Sequence, residues 1–145
     1  SPKGNWIELS VPSEELYLRR LESFRRDLVN NRVVTELVDQ ILYALDEVVR
    51  NAMEWGNRGD KTRLVKITYA LFPRELVIKV EDEGKGFRHE KLPNPSINPV
   101  AVQDIRSQLG KRSGGFGVHL VRKMMDEVIF NETGNVVLLV KRLPP

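Results

Sequence analysis

Glu47 and Asn51 stand four residues apart in a stretch of helical periodicity, so a carboxylate and an amide oxygen share one face, one turn apart. A carboxylate can accept a proton, and an amide oxygen is the hard donor that Mg²⁺ takes beside phosphate. The pair therefore suits a general base next to a metal ligand. The competing reading is a solvated helix face, because Asp46, Arg50 and Glu54 fall at ion-pair spacing beside them. A second group is Val80-Glu81-Asp82-Glu83-Gly84-Lys85-Gly86-Phe87, where Asp82 ends an apolar alternation and Gly84 and Gly86 follow. Glycines there let backbone approach a flat ligand, and a buried carboxylate accepts hydrogen bonds, so the exocyclic amine of adenine is a natural partner. The plain alternative is an acidic turn. The third group is Ser113-Gly114-Gly115-Phe116-Gly117-Val118-His119-Leu120, glycines running straight into a helix. Unpaired N–H groups at a helix start bind anions, phosphate above all, whereas the same glycines could simply end a loop.

Other chemistries are poorly served. The 145 residues contain no cysteine, which excludes disulfides, Cys-ligated zinc, iron–sulfur clusters and thiol catalysis and fits a reducing, cytoplasmic setting. There is no H-E-x-x-H and no G-x-S-x-G, and the two histidines, His89 and His119, stand apart. Gly110-Lys111-Arg112 lacks the remainder of a Walker A loop, and the glycines at 114–117 follow a polar loop, not the strand of a Rossmann fingerprint. Nucleic acid is not an expected partner: Arg19 and Arg26 have Glu15 and Glu22 four residues before them, and Tyr17 and Phe24 lie on the apolar stripe. No apolar run approaches the ~18 residues of a membrane span, so no membrane partner is expected either. The whole net charge of +3 falls within 88–113, where Arg88, Lys91, Arg106, Lys111 and Arg112 outnumber Glu90 and Asp104. The opening Ser1, in place of Met, reads as a cleaved tag or an excised domain.

The elements that must position these groups follow from periodicity. Trp6, Ile7, Leu9 and Val11 suggest a short strand. Pro12-Ser13-Glu14-Glu15 is a helix start, with Ser13 as cap, and Tyr17, Leu21, Phe24 and Leu28 carry one helix over about 13–30. Leu37, Val38, Ile41, Leu42, Leu45, Val48, Val49, Ala52 and Met53 carry a second from about Thr35 to Gly56, ended by the turn residues Gly56-Asn57-Arg58-Gly59-Asp60. Val65–Leu71 and Leu76–Glu81 alternate as a hairpin about Pro73-Arg74. Regularity lapses between Arg88 and Ser113, apart from a short helix near 100–109. A helix over Gly117–Asp126 then leads to a hairpin of Val128–Thr133 and Val136–Arg142 with Gly134-Asn135 as its two-residue turn. Consecutive hairpins with helices between them predict a single α+β domain over 1–145, a two-layer sandwich with a mostly antiparallel sheet and helices on one face.

Three motifs in this order resemble the GHKL ATPase/kinase superfamily over nearly the whole chain. Ala44–Asn57 (ALDEVVRNAMEWGN), Glu81–Phe87 and Gly114–Val128 (GGFGVHLVRKMMDEV) are similar to its anti-sigma-factor serine-protein kinase branch. The resemblance implies a Bergerat α/β sandwich, with mixed, mostly antiparallel sheet and an ATP lid at about 88–113, that binds ATP and Mg²⁺. It implies Glu47 as the general base, Asn51 as the Mg²⁺ ligand and Asp82 as the partner of adenine, with Gly84 and Gly86 giving the base room. Gly114, Gly115, Phe116 and Gly117 would place backbone N–H groups against the phosphates, and Arg112 with Lys111 would meet the terminal phosphate. Implied partners are a sigma factor and a small antagonist protein phosphorylated on serine, with the kinase acting as a homodimer.

Two positions differ from that pattern. Gly134-Asn135-Val136 stands where many relatives begin the last strand with Gly-Thr, and Arg112 lies one residue further from Gly115-Phe116-Gly117. Neither histidine has the setting of a phospho-accepting one, so a complete sensor histidine kinase is not expected. Two alternatives stay open on sequence alone: a non-catalytic module whose nucleotide state is read by a partner, and the ATP-binding domain of a larger signalling protein.

Overall fold

Alternation along three strands builds an apolar wall. In the computed structural model, which describes residues 6–84 and 117–145, β2 (Val65–Leu71) turns Val65, Ile67 and Tyr69 to one face, and β3 (Glu75–Asp82) turns Leu76, Ile78, Val80 and Asp82 to the same face. The register pairs Ile67 with Val80 and Tyr69 with Ile78, and β5 (Val136–Arg142) continues the wall with Val137 opposite Val80 and Leu139 opposite Ile78. β1 (Ile7–Val11) adds to the β2 edge and β4 (Glu127–Phe130) to the β5 edge, giving the order β1-β2-β3-β5-β4 with all four pairings antiparallel.

Among the described residues, three helices cover that wall. Helix α1 (Glu14–Asn30) begins where Ser13 Oγ accepts the Leu16 N–H, and Glu14 and Glu15 complement the positive end of its dipole. It buries Tyr17, Phe24 and Leu28, and the Phe24 ring meets Tyr69 edge-on at 4.7 Å between centroids. Helix α2 (Thr35–Asn51) supplies Val38, Ile41, Leu42, Leu45, Val48 and Val49, and α3 (Gly117–Met124) supplies Val121 to the same core. The result is the two-layer α+β sandwich that the sequence predicts.

Two boundaries differ from the sequence reading. The periodicity of α2 runs to Gly56, but its α-helical ladder stops at Asn51 and Ala52–Gly56 form a turn of π-helix, closed by Asn57 N–H to Ala52 O at 2.7 Å. A stripe of apolar residues does not distinguish these two geometries over a single turn. The β4–β5 connection is not a two-residue turn. Asn131 N–H bonds Val136 O, leaving a four-residue loop that the Asn131 side chain organises: its Oδ1 accepts from Gly134 N and Val136 N. Asparagine competes with the strand ladder in this way, so β4 stops at Phe130. The charge-rich segment 88–113, with its expected short helix near 100–109 and His89, lies outside the described residues.

At the far end of β5, Lys141 occupies an inward position and is buried. Its Nζ donates to Gln40 Oε1 of α2 and to Met124 O at the C-terminus of α3, tying both helices to the sheet. No described helix is long and apolar enough to cross a membrane.

Candidate functional site

The polar face of α2 divides into two sets. Asp46 and Arg50 belong to a bridge between the helices: Arg50 Nε donates to Asp46 Oδ1 at 3.0 Å, Arg50 Nη1 to Glu14 Oε1 at 2.6 Å, and Tyr17 Oη to Asp46 Oδ1 at 3.1 Å. Burial and the Asp46 charge push the Tyr17 hydroxyl far above its ordinary range, so it acts there as a fixed donor. Glu47 and Asn51 form the other set. They are 8% and 5% exposed, which a merely solvated face would not be.

Asn51 lines a cleft together with Asp82 and the apolar side chains of Val48, Ala52, Val80, Val121, Val128, Phe130 and Val137. Gly134 and Asn135 complete its rim. α2 and α3 thus form one wall, the inward residues of β3, β4 and β5 the other. A cleft largely apolar in its lining, with few fixed polar groups, suits a flat heteroaromatic ligand.

Asp82 ends β3 and is 8% exposed. Burial pushes its carboxyl up to about 6, opposed by the hydrogen bond from Gly84 N and, more weakly, by the Arg63 charge. Its position is fixed from several sides. Asp82 Oδ1 accepts Gly84 N–H at 2.8 Å, and Asp82 N–H donates to Asn135 O at 3.0 Å. Next to it, Glu83 N–H donates to Asn57 Oδ1 at 2.8 Å and Leu64 N–H donates to Glu83 Oε2 at 2.7 Å. At Gly84 the neighbour that a side chain would strike is the carbonyl of Gly56.

Gly117 is the first residue of α3. Gly86, Lys111, Arg112, Gly114, Gly115 and Phe116, all expected near a nucleotide, lie outside the described residues.

The profile of a histidine kinase-like ATPase domain matches residues 11–141. The chain belongs to that family. It is 26% identical over 142 residues to the serine-protein kinase RsbW of Bacillus subtilis, covering 97% of this chain and 87% of that protein. RsbW of Bacillus licheniformis is 30% identical over 127 residues, covering 86% and 77%, and RsbW of Oceanobacillus iheyensis 22% identical over 139 residues, covering 95% and 86%. Within the histidine kinase-like ATPases, then, this chain stands with the GHKL serine-protein kinases.

Sequence reasoning did not assign several residues that line the cleft or brace the end of β3. The sequence reading gives Gly134-Asn135 as a two-residue turn that departs from the Gly-Thr of many relatives; both residues line the cleft, and the Asn135 carbonyl holds the backbone of Asp82. Asn57, which the sequence gives as turn chemistry, does not line the cleft but is 2% exposed and braces the chain beside it, donating to Leu64 O and accepting from Glu83 N–H. A signal existed for each: an Asn immediately after a glycine at a helix end, and the Asn131-x-Thr133-Gly134-Asn135 cluster before a strand.

Proposed function

We propose that the protein is a serine-protein kinase that binds ATP with Mg²⁺ and acts in the cytoplasm as an anti-sigma factor or a related partner-switching regulator, transferring the γ-phosphate to a serine of a small antagonist protein. The observation that carries this reading is the apolar cleft with the buried Asp82 carboxylate and Asn51 on one lining and Glu47 one turn before Asn51. Family membership and the RsbW relatives support the same reaction class.

In this reading Asp82 accepts a hydrogen bond from the adenine amine, and the valines and Phe130 sandwich the ring. The residues present fit Mg²⁺: the buried Asn51 amide supplies a hard oxygen, and such an ion needs only one or two protein ligands when phosphate oxygens supply others. When bound, the ion would neutralise charge on the β- and γ-phosphates. Glu47 accepts the proton of the serine hydroxyl as its oxygen bonds to the γ-phosphorus. The bond from that phosphorus to the β–γ bridging oxygen breaks, and ADP leaves. Lys111 and Arg112 would meet the terminal phosphate. A homodimer is part of the proposal, supported by an apolar strip on the sheet face away from the helices, where Ile129 pairs with Leu138 and Val77 with Val140. Neither nucleic acid nor membrane is proposed as a partner.

The test is phosphotransfer from γ-labelled ATP, with Mg²⁺, to the small antagonist recovered by co-purification from the native host. Glu47→Gln is expected to lower transfer by about 10²–10⁴-fold while ATP still binds. Undiminished transfer by that variant, or none by the wild type, would defeat the kinase reading.

A further inference from the structure

Gly56 has no side chain, yet its surroundings give it a role in the choice of base. After Asn51 the chain leaves α-helical geometry and spends Ala52–Gly56 on a π-turn, which admits an extra residue and moves the following backbone relative to a regular helix. That displacement lays the Gly56 Cα directly on the Asp82 carboxylate. A Cβ built at Gly56 would lie 2.1 Å from Asp82 Oδ2, 2.3 Å from Cγ and 2.7 Å from Oδ1, all impossible separations. The φ of Gly56 is not positive, unlike those of Gly59 and Gly134, so space is the reason for glycine here.

The contact cannot relax easily from the other side. A Cβ at Gly84 would lie 1.7 Å from Gly56 O and 2.5 Å from Gly56 C, backbone against backbone. Asn57, 2% exposed, then ties the end of the π-turn to Glu83 N and to Leu64 O. With Oδ1 occupied by Gly84 N–H and the flank of Oδ2 covered by Gly56, the carboxylate has one orientation in which to meet a ligand.

We propose that Gly56 is a positioning residue: by closing the seam against Gly84 it fixes the Asp82 carboxylate so that the cleft selects a 6-amino purine over a 6-oxo purine. The chemistry follows from the acceptor-only character of an ionised carboxylate, which bonds an exocyclic amine and repels a carbonyl at the same place. The inference rests on the nucleotide-binding role of Asp82 proposed above and adds the residue that gives that role its selectivity.

Calorimetric titration of ATP and of inosine triphosphate, both with Mg²⁺, tests it on the full chain and on Gly56→Ala. The wild type should prefer ATP by about tenfold or more, the worth of one charge-assisted hydrogen bond gained or lost. Gly56→Ala should lose about tenfold in ATP affinity while its affinity for inosine triphosphate changes by less than about threefold. A merely structural role would weaken both nucleotides by the same factor, and that result, or an unchanged ratio, overturns the proposal. Should Gly56→Ala not fold, Asn57→Ala carries the same test, because it removes atoms and loosens the seam without inserting any. Selective loss of ATP supports the positioning role; equal loss or no loss refutes it. A wild type that binds ATP but does not discriminate between the two bases would instead overturn the role of Asp82 itself, and Gly56 with it.

Discussion

Replacing Asp82 with Asn should make the protein more stable and a poorer binder of nucleotide at once. Moving the carboxyl from its ordinary 3.8 up to about 6 means that the folded state holds the ionised form at a cost of about 3 kcal/mol. Between pH 4 and 6 the folded chain binds more protons at this site than the unfolded one, so this group makes stability fall as pH rises through that window and leaves it flat above. Lowering the pH from 7.5 to 5 therefore returns part of the cost. Asp82→Asn, nearly the same shape, keeps an oxygen for the Gly84 N–H and removes the charge. Urea unfolding at pH 7.5 should show the variant more stable by up to about 3 kcal/mol, with the difference shrinking towards pH 4.

Nucleotide affinity should move in the opposite direction. If the ionised carboxylate is what receives the adenine amine, about a tenth of the molecules are competent at pH 5, and wild-type ATP affinity should fall about tenfold from its value at pH 7.5. Asp82→Asn should bind ATP more weakly at pH 7.5 and lose this pH dependence, which also separates Asp82 from other groups titrating in the range. The reasoning fails if the variant is no more stable at neutral pH, or if its ATP affinity still falls on acidification as the wild type's does. An active-site charge held at a cost to the fold, with function gained in exchange, is the general pattern such a result would exemplify.

Two further outcomes test the frame around the cleft. Lys141→Met keeps much of the buried volume but leaves Met124 O and Gln40 Oε1 without their shared donor, so urea unfolding should show a loss of about 1–3 kcal/mol; an unchanged midpoint would mean that the desolvation of the ammonium group had cancelled its bonds. Ile129→Glu places a charge on the outer sheet face at a residue 51% exposed, so the fold should survive while light scattering shows a monomer in place of the proposed dimer. A variant that still dimerises would move the interface elsewhere.

What was legible in the sequence depended on where each residue's role resides. The stripe of α2 carries its own burial pattern, so the helix, and with it the shared face of Glu47 and Asn51, could be read without the fold. Asp82 was legible because an acid at an inward position of an alternating strand conflicts with its neighbours, and the conflict marks a site. Lys141 carried the same signal at an inward position of β5 and points to a structural tie, so the signal alone does not separate function from support. Gly56 was not legible beyond a turn. Its neighbour Asp82 comes from another element, and the π-turn that brings them together leaves no mark in apolar spacing. Asn135 was obscured for a related reason: its carbonyl, a group every residue possesses, is what holds Asp82, while its type serves the loop through Asn131 and Thr133. A role carried by side-chain atoms announces itself in the residue type. A role carried by backbone, or by the absence of a side chain, becomes visible only once the opposing surface is in place, and it is at Gly56 and Gly84 that substitution should separate the two.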